Sequence, residues 1–375
     1  MNIAFIITSG GWGGLEMNTL KLAKLLSAKG YRISLITQED STIYDKKGEL
    51  FVSTIVIKKN RKYFDFKSAK KISKALKSNN ISTLIAVENT DLDVISWTKK
   101  LFFPKLNIIY QQHMQLGRKN KKDFIHTFRF SSINYWISPL QYLKNQLIEK
   151  TRFPEEKIKV IPICLDISKF TKREYSKQEA LQKLGISPKL PLVGIIGRIT
   201  EKKGQLFVVE SLIKLKQKGI SVELLIFGSP TVNETESQDY YKLIKETVKQ
   251  HKLEELVHFT EYQKDVSMFY NAIDIFVLAS EKETYGMVTI EAMLSELPII
   301  ATQSGGTSEI LNYGKLGLLY EYENHEEFCQ KLMWLLNNPK ETDLMAENAQ
   351  QNASKNYRQD IEVNEIDKLL KGFKK

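Results

Sequence analysis

Two glutamates frame a glycine in the stretch SEKETYGMVTIEAM, residues 280–293: Glu283 and Glu291, with Gly286 between them. On one continuous helix they would be rotated about 80° from each other and would share a face only loosely. Such a pair is either two solvated surface charges or two acceptors for the hydroxyls of one ligand. The preceding run DIFVLAS reads as a buried strand, and MVTIEAMLS has helical spacing. Glu283 then falls in a loop, Gly286 frees the turn, and Glu291 sits about one turn inside a helix. The helix start at Gly286 and Met287 offers unpaired N–H groups and a positive dipole end to an anion. The stretch can therefore bind hydroxyl, phosphate and hydroxyl in sequence.

Three other segments carry polar groups just after apolar runs. LVGIIGRITEKKGQ places Arg198 and Lys203 in a strand-to-helix loop, where two cations could neutralise a diphosphate or stay solvated; Lys202 reads as solvated. TSGGWGGLEMN puts four glycines in five positions, Gly13 and Gly14 closing the set. It is either a phosphate-binding loop or a tight turn. Its spacing does not match G-x-G-x-x-G, although Glu39 lies where a ribose-binding acid would, so an NAD-dependent oxidoreductase stays open. His113, in QQHMQLG, follows a strand end and is either a site residue or structural. The D-x-D of Asp91 and Asp93 could hold a metal and a diphosphate, but it opens a helix, and capping accounts for it better.

These segments need a scaffold that brings strand ends together. The first half alternates the short apolar runs NIAFIIT, RISLIT, STLIAVE, NIIYQQ, INYWIS and IKVIPI with amphipathic stretches such as Leu15 to Ala28. Around 165–190 the pattern breaks into what reads as a linker. Alternation restarts with LVGIIGR, ELLIFGS, VHFTEY, DIFVLAS, LPIIATQ and GLLYEY. The class is α/β, with two Rossmann-like parallel-sheet domains. The expected bounds are 1–170 and 171–355, with a closing helix over 356–375 that could cross back to the first domain. Ligands bind beyond the carboxyl ends of such strands, and two sheets facing each other would make a cleft.

Composition narrows the partners. The 375 residues are 42% hydrophobic and 26% charged, as in an ordinary globular protein, and no stretch approaches 18 uncharged apolar residues. MNIAFIIT reads as a first strand, not a signal peptide. Cys164 and Cys329 show no partnering pattern, which fits thiols in a reducing cytosol and gives no support to a zinc site. Residues 1–170 carry 29 Lys and Arg against 14 Asp and Glu, whereas 171–375 carry 26 against 30. The basic half calls for an anionic partner: nucleic acid, a membrane surface or a phosphorylated acceptor. No nucleic-acid motif accompanies the scattered lysines. The stretch GRKNKKDFIHTFRF mixes Arg118, Lys119, Lys121, Lys122 and Arg129 with Phe124, Phe128 and Phe130. Read as one helix, it would either meet an anionic membrane or pack its phenylalanines inward.

Together, GRITEKKG, the glutamate pair of EKETYGMVTIEAM, LPIIATQSGGTSEIL directly after it, and the N-terminal GGWGGLE resemble the retaining glycosyltransferases of family 4, which have the GT-B fold. The resemblance covers nearly the whole chain and is strongest from about 190 to 320. It implies that Glu291 holds the ribose hydroxyls of a nucleotide and Glu283 those of the donor sugar. Arg198 and Lys203 would hold the diphosphate, with Gly13 and Gly14 closing over it, and His113 would lie near the transferred sugar. His113, Arg198, Lys203 and Glu283 are thus the expected catalytic set, and Gly286, Met287 and Glu291 join the nucleotide-binding set. It further implies a nucleotide-sugar donor, with UDP expected from its frequency in the family, and no metal cofactor. Added to the basic first half, it points to a glycan or lipid-linked acceptor and to a cytoplasmic enzyme at the inner membrane face. A sugar-nucleotide epimerase or phosphorylase-like enzyme of the same fold is the alternative. Two departures stand out: PICLD, Pro162 to Asp166, where the family often reads close to PNGVD, and Thr284 and Tyr285 before Gly286, where a Phe-Gly pair is common.

Overall fold

The computed structural model describes residues 1–58, 64–117, 119–172, 174–232 and 234–373. The chain divides into two compact units: Met1–Cys164 with Gln359–Lys375, and Leu165–Arg358. The boundaries expected at 170 and 355 therefore shift to 164 and 358. The expected linker over 165–190 is instead structured, with helices Ser168–Thr171 and Lys177–Leu184 belonging to the second unit. A Ser176–Glu179 capping box starts the latter helix and Gly185, left-handed at φ 70°, ends it. Short helices between prolines gave no long period to recognise.

The first unit holds strands β1 (Asn2–Ile6), β2 (Arg32–Thr37), β3 (Ser53–Val56), β4 (Thr83–Ala86), β5 (Asn107–Gln111), β6 (Tyr135–Ser138) and β7 (Ile158–Val160). They form one sheet in the order β3-β2-β1-β4-β5-β6-β7, with every pair parallel. Parallel neighbours need crossover connections, and covering both faces explains why these strands read as near-continuous apolar runs. One face packs Ala4, Ile6, Leu84, Ile108 and Trp136, and the other packs Ile3, Phe5, Ile33, Leu35 and Ile85. The second unit holds β8 (Leu192–Ile196), β9 (Glu223–Phe227), β10 (Val257–Thr260), β11 (Ile275–Leu278), β12 (Ile299–Thr302) and β13 (Leu318–Tyr320), in the parallel order β10-β9-β8-β11-β12-β13.

Both sheets are Rossmann-like, and in each the strand order reverses once. The switch lies between β1 and β4 in the first unit and between β8 and β11 in the second, and such points are where open α/β sheets bind ligands.

The helix Gln359–Gly372 returns to the first unit and buries Val363, Ile366 and Leu370 in its core. Its Glu362 is 1% exposed. One oxygen accepts from Lys21 Nζ and from the Cys164 N–H, each at 3.0 Å, and the other from Gln111 Nε2 at 3.0 Å. A buried carboxylate is tolerable only with such a full set of partners. Tyr31 donates to Asp367 at 2.7 Å on the same helix.

The D-x-D pair opens a helix as expected, Asp91 at the N-cap and Asp93 in the first turn of Leu92–Trp97, but the Asp91 side chain makes no capping hydrogen bond. Asp91 accepts from the Thr8 hydroxyl at 2.5 Å and the Thr8 N–H at 3.2 Å, tying the loop after β1 to the loop after β4. Asp93 pairs with Arg129 at 2.7 Å. Both carboxylates are held by groups distant in sequence, which a local capping argument cannot see.

Candidate active site

At the switch point of the second unit, the loops after β8 and β11 meet. The segment after β8 runs through Gly197 and Arg198 into a single turn, Glu201–Lys203, and then the helix Gln205–Gln217. The segment after β11 reaches the helix Met287–Leu294 at Gly286, which is left-handed at φ 86°. Glu283 lies in the loop and Glu291 on the helix, so the pair is free of the helical geometry that would hold them apart.

Lys203 Nζ donates to Glu283 Oε2 at 2.8 Å. Both side chains are partly buried, which shields the pair from water more than a surface ion pair would be. The two candidates assigned to diphosphate and sugar are thus joined in a single ion pair. Backbone contacts fix the junction: the Glu281 N–H donates to the Lys202 carbonyl at 2.9 Å, and the Gly306 N–H donates to the Glu283 carbonyl at 2.9 Å. The Thr302 hydroxyl donates to the Ser280 carbonyl at 2.8 Å, adding the end of β12. Arg198 is exposed, and Gln205 Nε2 holds its carbonyl at 3.0 Å. Lys202 is exposed, in keeping with a solvated charge.

Gly204 makes the close approach possible. Its φ is +72°, and a Cβ there would lie 2.2 Å from the Ala279 carbonyl oxygen. Gly204→Ala is expected to cut turnover and lower Tm by several degrees, since each kcal/mol lost moves Tm by about 2–4 °C in a domain of this size. Gly219 has a similar φ of +77° but open space at its Cβ, so Gly219→Ala isolates the backbone strain. Equal effects of the two substitutions on turnover would show that loop contact does not matter.

Glu291 accepts from the Tyr270 hydroxyl at 2.7 Å through Oε2, and its other oxygen has no partner among the described residues. Burial raises the Glu291 pKa, while the Tyr270 hydrogen bond opposes that rise. Tyr270 was not singled out in the sequence. Its only local signal is a hydroxyl inside the apolar run MFYNA, where a core tyrosine is the ordinary reading.

In the first unit the Gly13 N–H donates to Glu16 Oε2 at 2.8 Å, and Gly14 opens the helix Gly14–Ala28. The glycine segment is therefore the start of a 15-residue helix whose first turn carries a buried glutamate. His113 follows β5 and is partly buried, with Nε2 shut off from solvent and lacking a hydrogen-bond partner among the described residues. Burial, then the nearby Lys21 charge, push its pKa down to about 4. Glu88, after β4, is a further site-type group that the sequence reading passed over. One of its oxygens is buried without a partner among the described residues, and burial raises its pKa.

His113 gives a pH signature. Between about 4 and its unfolded value near 6.5 the unfolded chain binds the extra proton, so His113 makes stability fall as pH drops through that window. The wild type is expected to lose more Tm between pH 7 and pH 4.5 than His113→Gln; equal losses in thermal melts would contradict its neutral burial.

Comparison with known proteins gives the same outline. Residues 176–352 match the family model of glycosyl transferases group 1, and residues 12–169 match that of glycosyltransferase family 4. Among curated relatives, the capsular polysaccharide biosynthesis glycosyltransferase CapM of Staphylococcus aureus is 25% identical over 244 residues, covering 64% of this chain and 62% of its own. A D-inositol 3-phosphate glycosyltransferase of Corynebacterium urealyticum is 27% identical over 53% of this chain and 47% of its own. The chain thus spans about half to three fifths of these relatives. Among solved structures, a glycosyltransferase from Rickettsia africae superposes with TM-score 0.88 at 21% identity, covering 100% of this chain and 98% of its own. Anabaena Alr3699/HepE in complex with UDP superposes with TM-score 0.85 at 21% identity, over 99% and 100%.

Proposed function

Because the chain belongs to the glycosyltransferases of group 1 and family 4, with the GT-B fold, we propose that it moves a hexose from a UDP-sugar to a glycan acceptor, with retention at the anomeric carbon. The observation that carries this reading is the junction at the second unit's switch point. There Lys203 and Glu283 pair at 2.8 Å, and Glu291 follows on the adjoining helix.

In this reading Glu291 accepts from the ribose hydroxyls and Glu283 from hydroxyls of the sugar. Breaking the bond to phosphate builds negative charge on the departing diphosphate and positive charge on the anomeric carbon. Arg198, Lys203 and the N–H groups at Met287 stabilise that anion in this reading, and no metal is called for. The leaving phosphate serves as base for an acceptor hydroxyl that arrives on its own face, so no glutamate is needed as nucleophile.

UDP is the nucleotide held by the Anabaena protein of the same fold, and we assign it here. The acceptor is lipid-linked, as in assembly of a cell-surface polysaccharide, and the enzyme works at the cytoplasmic membrane face. The basic first half supports that placement. Among the described residues no helix is long and apolar enough to cross a membrane.

A thermal-shift screen against nucleotide sugars tests the donor: a UDP-sugar is expected to raise Tm most. Product analysis with donor alone tests the chemistry. The donor is expected to stay intact or to be hydrolysed slowly, water taking the unepimerised sugar as UDP leaves, whereas conversion of the intact donor to its epimer would overturn transfer in favour of epimerisation.

A further inference from the structure

The segment GRKNKKDFIHTFRF is not one amphipathic helix. Only Phe124–Phe130 is helical; Lys119, Lys121 and Lys122 precede it, and Arg118 lies outside the described residues. Arg129 is buried against Asp93, and Phe130 enters the core. Phe124, by contrast, is 82% exposed. An aromatic ring left in water this fully needs a reason, and its neighbours supply one.

Phe124 stands 6.4 Å from Phe128, and Phe128 stands 4.7 Å from Trp97 at the end of the helix Leu92–Trp97. Trp97 lies 4.9 Å from Phe66, which opens the helix Phe66–Ser78, and 6.1 Å from Phe64. Five rings from three distant segments thus form one continuous surface ladder. Phe64 is 66% exposed and Phe66 43%. Lys100 Nζ sits 3.6 Å over the Phe128 ring. Two of the three carboxylates described in these segments are buried, and the third, Asp123, is half-exposed but neutralised locally. Asp65 caps its helix at the Ser68 N–H, Asp93 pairs with Arg129, and Asp123 pairs with His126. What faces outward is therefore mainly aromatic and cationic, with Asp123, paired to His126, as the one acidic group among the described residues of these segments.

We propose that this ladder docks the first unit on an anionic lipid bilayer, with Phe64 and Phe124 entering the headgroup boundary and Lys100 and the neighbouring exposed lysines meeting lipid phosphates. The inference deepens the membrane placement of the proposed function and rests on that reading. Aromatic rings favour the membrane–water boundary, and cations beside them add attraction to anionic lipid. A second copy of the chain fits poorly, since self-association would bring like charges together. Nucleic acid fits less well, because the rings contact one another and leave no slot for a stacked base.

Flotation with phosphatidylcholine vesicles, with and without phosphatidylglycerol, tests the proposal at physiological salt. The wild type is expected to float only with the anionic vesicles. Phe64→Ser/Phe124→Ser is expected to bind them at least about tenfold more weakly, with unchanged Tm because both rings are already exposed. Equal flotation of variant and wild type would overturn the proposal. So would failure of the wild type to float while it binds single-stranded RNA, or dimerisation without lipid that the double substitution abolishes. UDP binding, read on the same preparations, depends on the second unit, so loss of flotation with UDP binding intact separates failure of docking from failure of the transferase reading.

Discussion

Lys203→Ala is expected to lower kcat by about 100- to 1000-fold, the range seen when a preorganised group that stabilises developing negative charge is removed. The donor KM should move far less, because the lysine acts mainly on charge that appears as the diphosphate leaves. Lys202→Ala is the matched control: it removes an equal charge one residue away from an exposed position. The 2.8 Å pair with Glu283 adds a second signature. Removing the lysine leaves a partly buried carboxylate without its cation, so the effects of Lys203→Ala and Glu283→Ala should not add. Steady-state kinetics on the two single variants and the double variant check this. Equal effects of Lys202→Ala and Lys203→Ala would place the important charge in the general field of the loop and not in Lys203.

Glu291→Gln is expected to weaken donor binding about 10- to 100-fold, corresponding to a hydrogen bond to a charged acceptor, at little cost in Tm. The substitution keeps the shape and the Tyr270 contact. Tyr270→Phe should weaken binding less, since it removes the group that orients Glu291 and not the acceptor itself. Burial raises the Glu291 pKa, so the carboxylate form is lost earlier on acidification than for an exposed glutamate. Donor affinity should accordingly fall as pH drops towards that raised value, and the same fall should be absent in Glu291→Gln. Nucleotide titrations across pH measure both effects.

Much of the scaffold was legible because a covered parallel sheet demands unbroken apolar strands. NIAFI, RISLIT, LVGII and IFVL announce themselves through Ile, Val, Leu and Phe, and the glycines after several of them mark the turns. β3 was missed although Phe51, Val52 and Ile57 flank STIV; it is a short edge strand with three of its four residues only half-buried. The glutamate pair could be split between loop and helix from Gly286 alone. Its pairing with Lys203 could not, because 80 residues separate the two and only the adjacency of β8 and β11 brings them together. The same limit hid the Thr8–Asp91 tie, the Tyr270 contact and the aromatic ladder, each of which joins segments with no local signature. The Phe124 segment misled because charge and aromatic content were read along one helix, whereas the exposed face is assembled from three.

The most direct test is calorimetric titration of UDP into the wild type, Glu291→Gln and Arg198→Ala, with melts on the same samples. The expected result is saturable binding at one site in the wild type, weakened at least about tenfold in each variant at unchanged Tm. Undiminished UDP binding by both variants, or no UDP binding by the folded wild type, would contradict a nucleotide-sugar site at the switch point of the second unit.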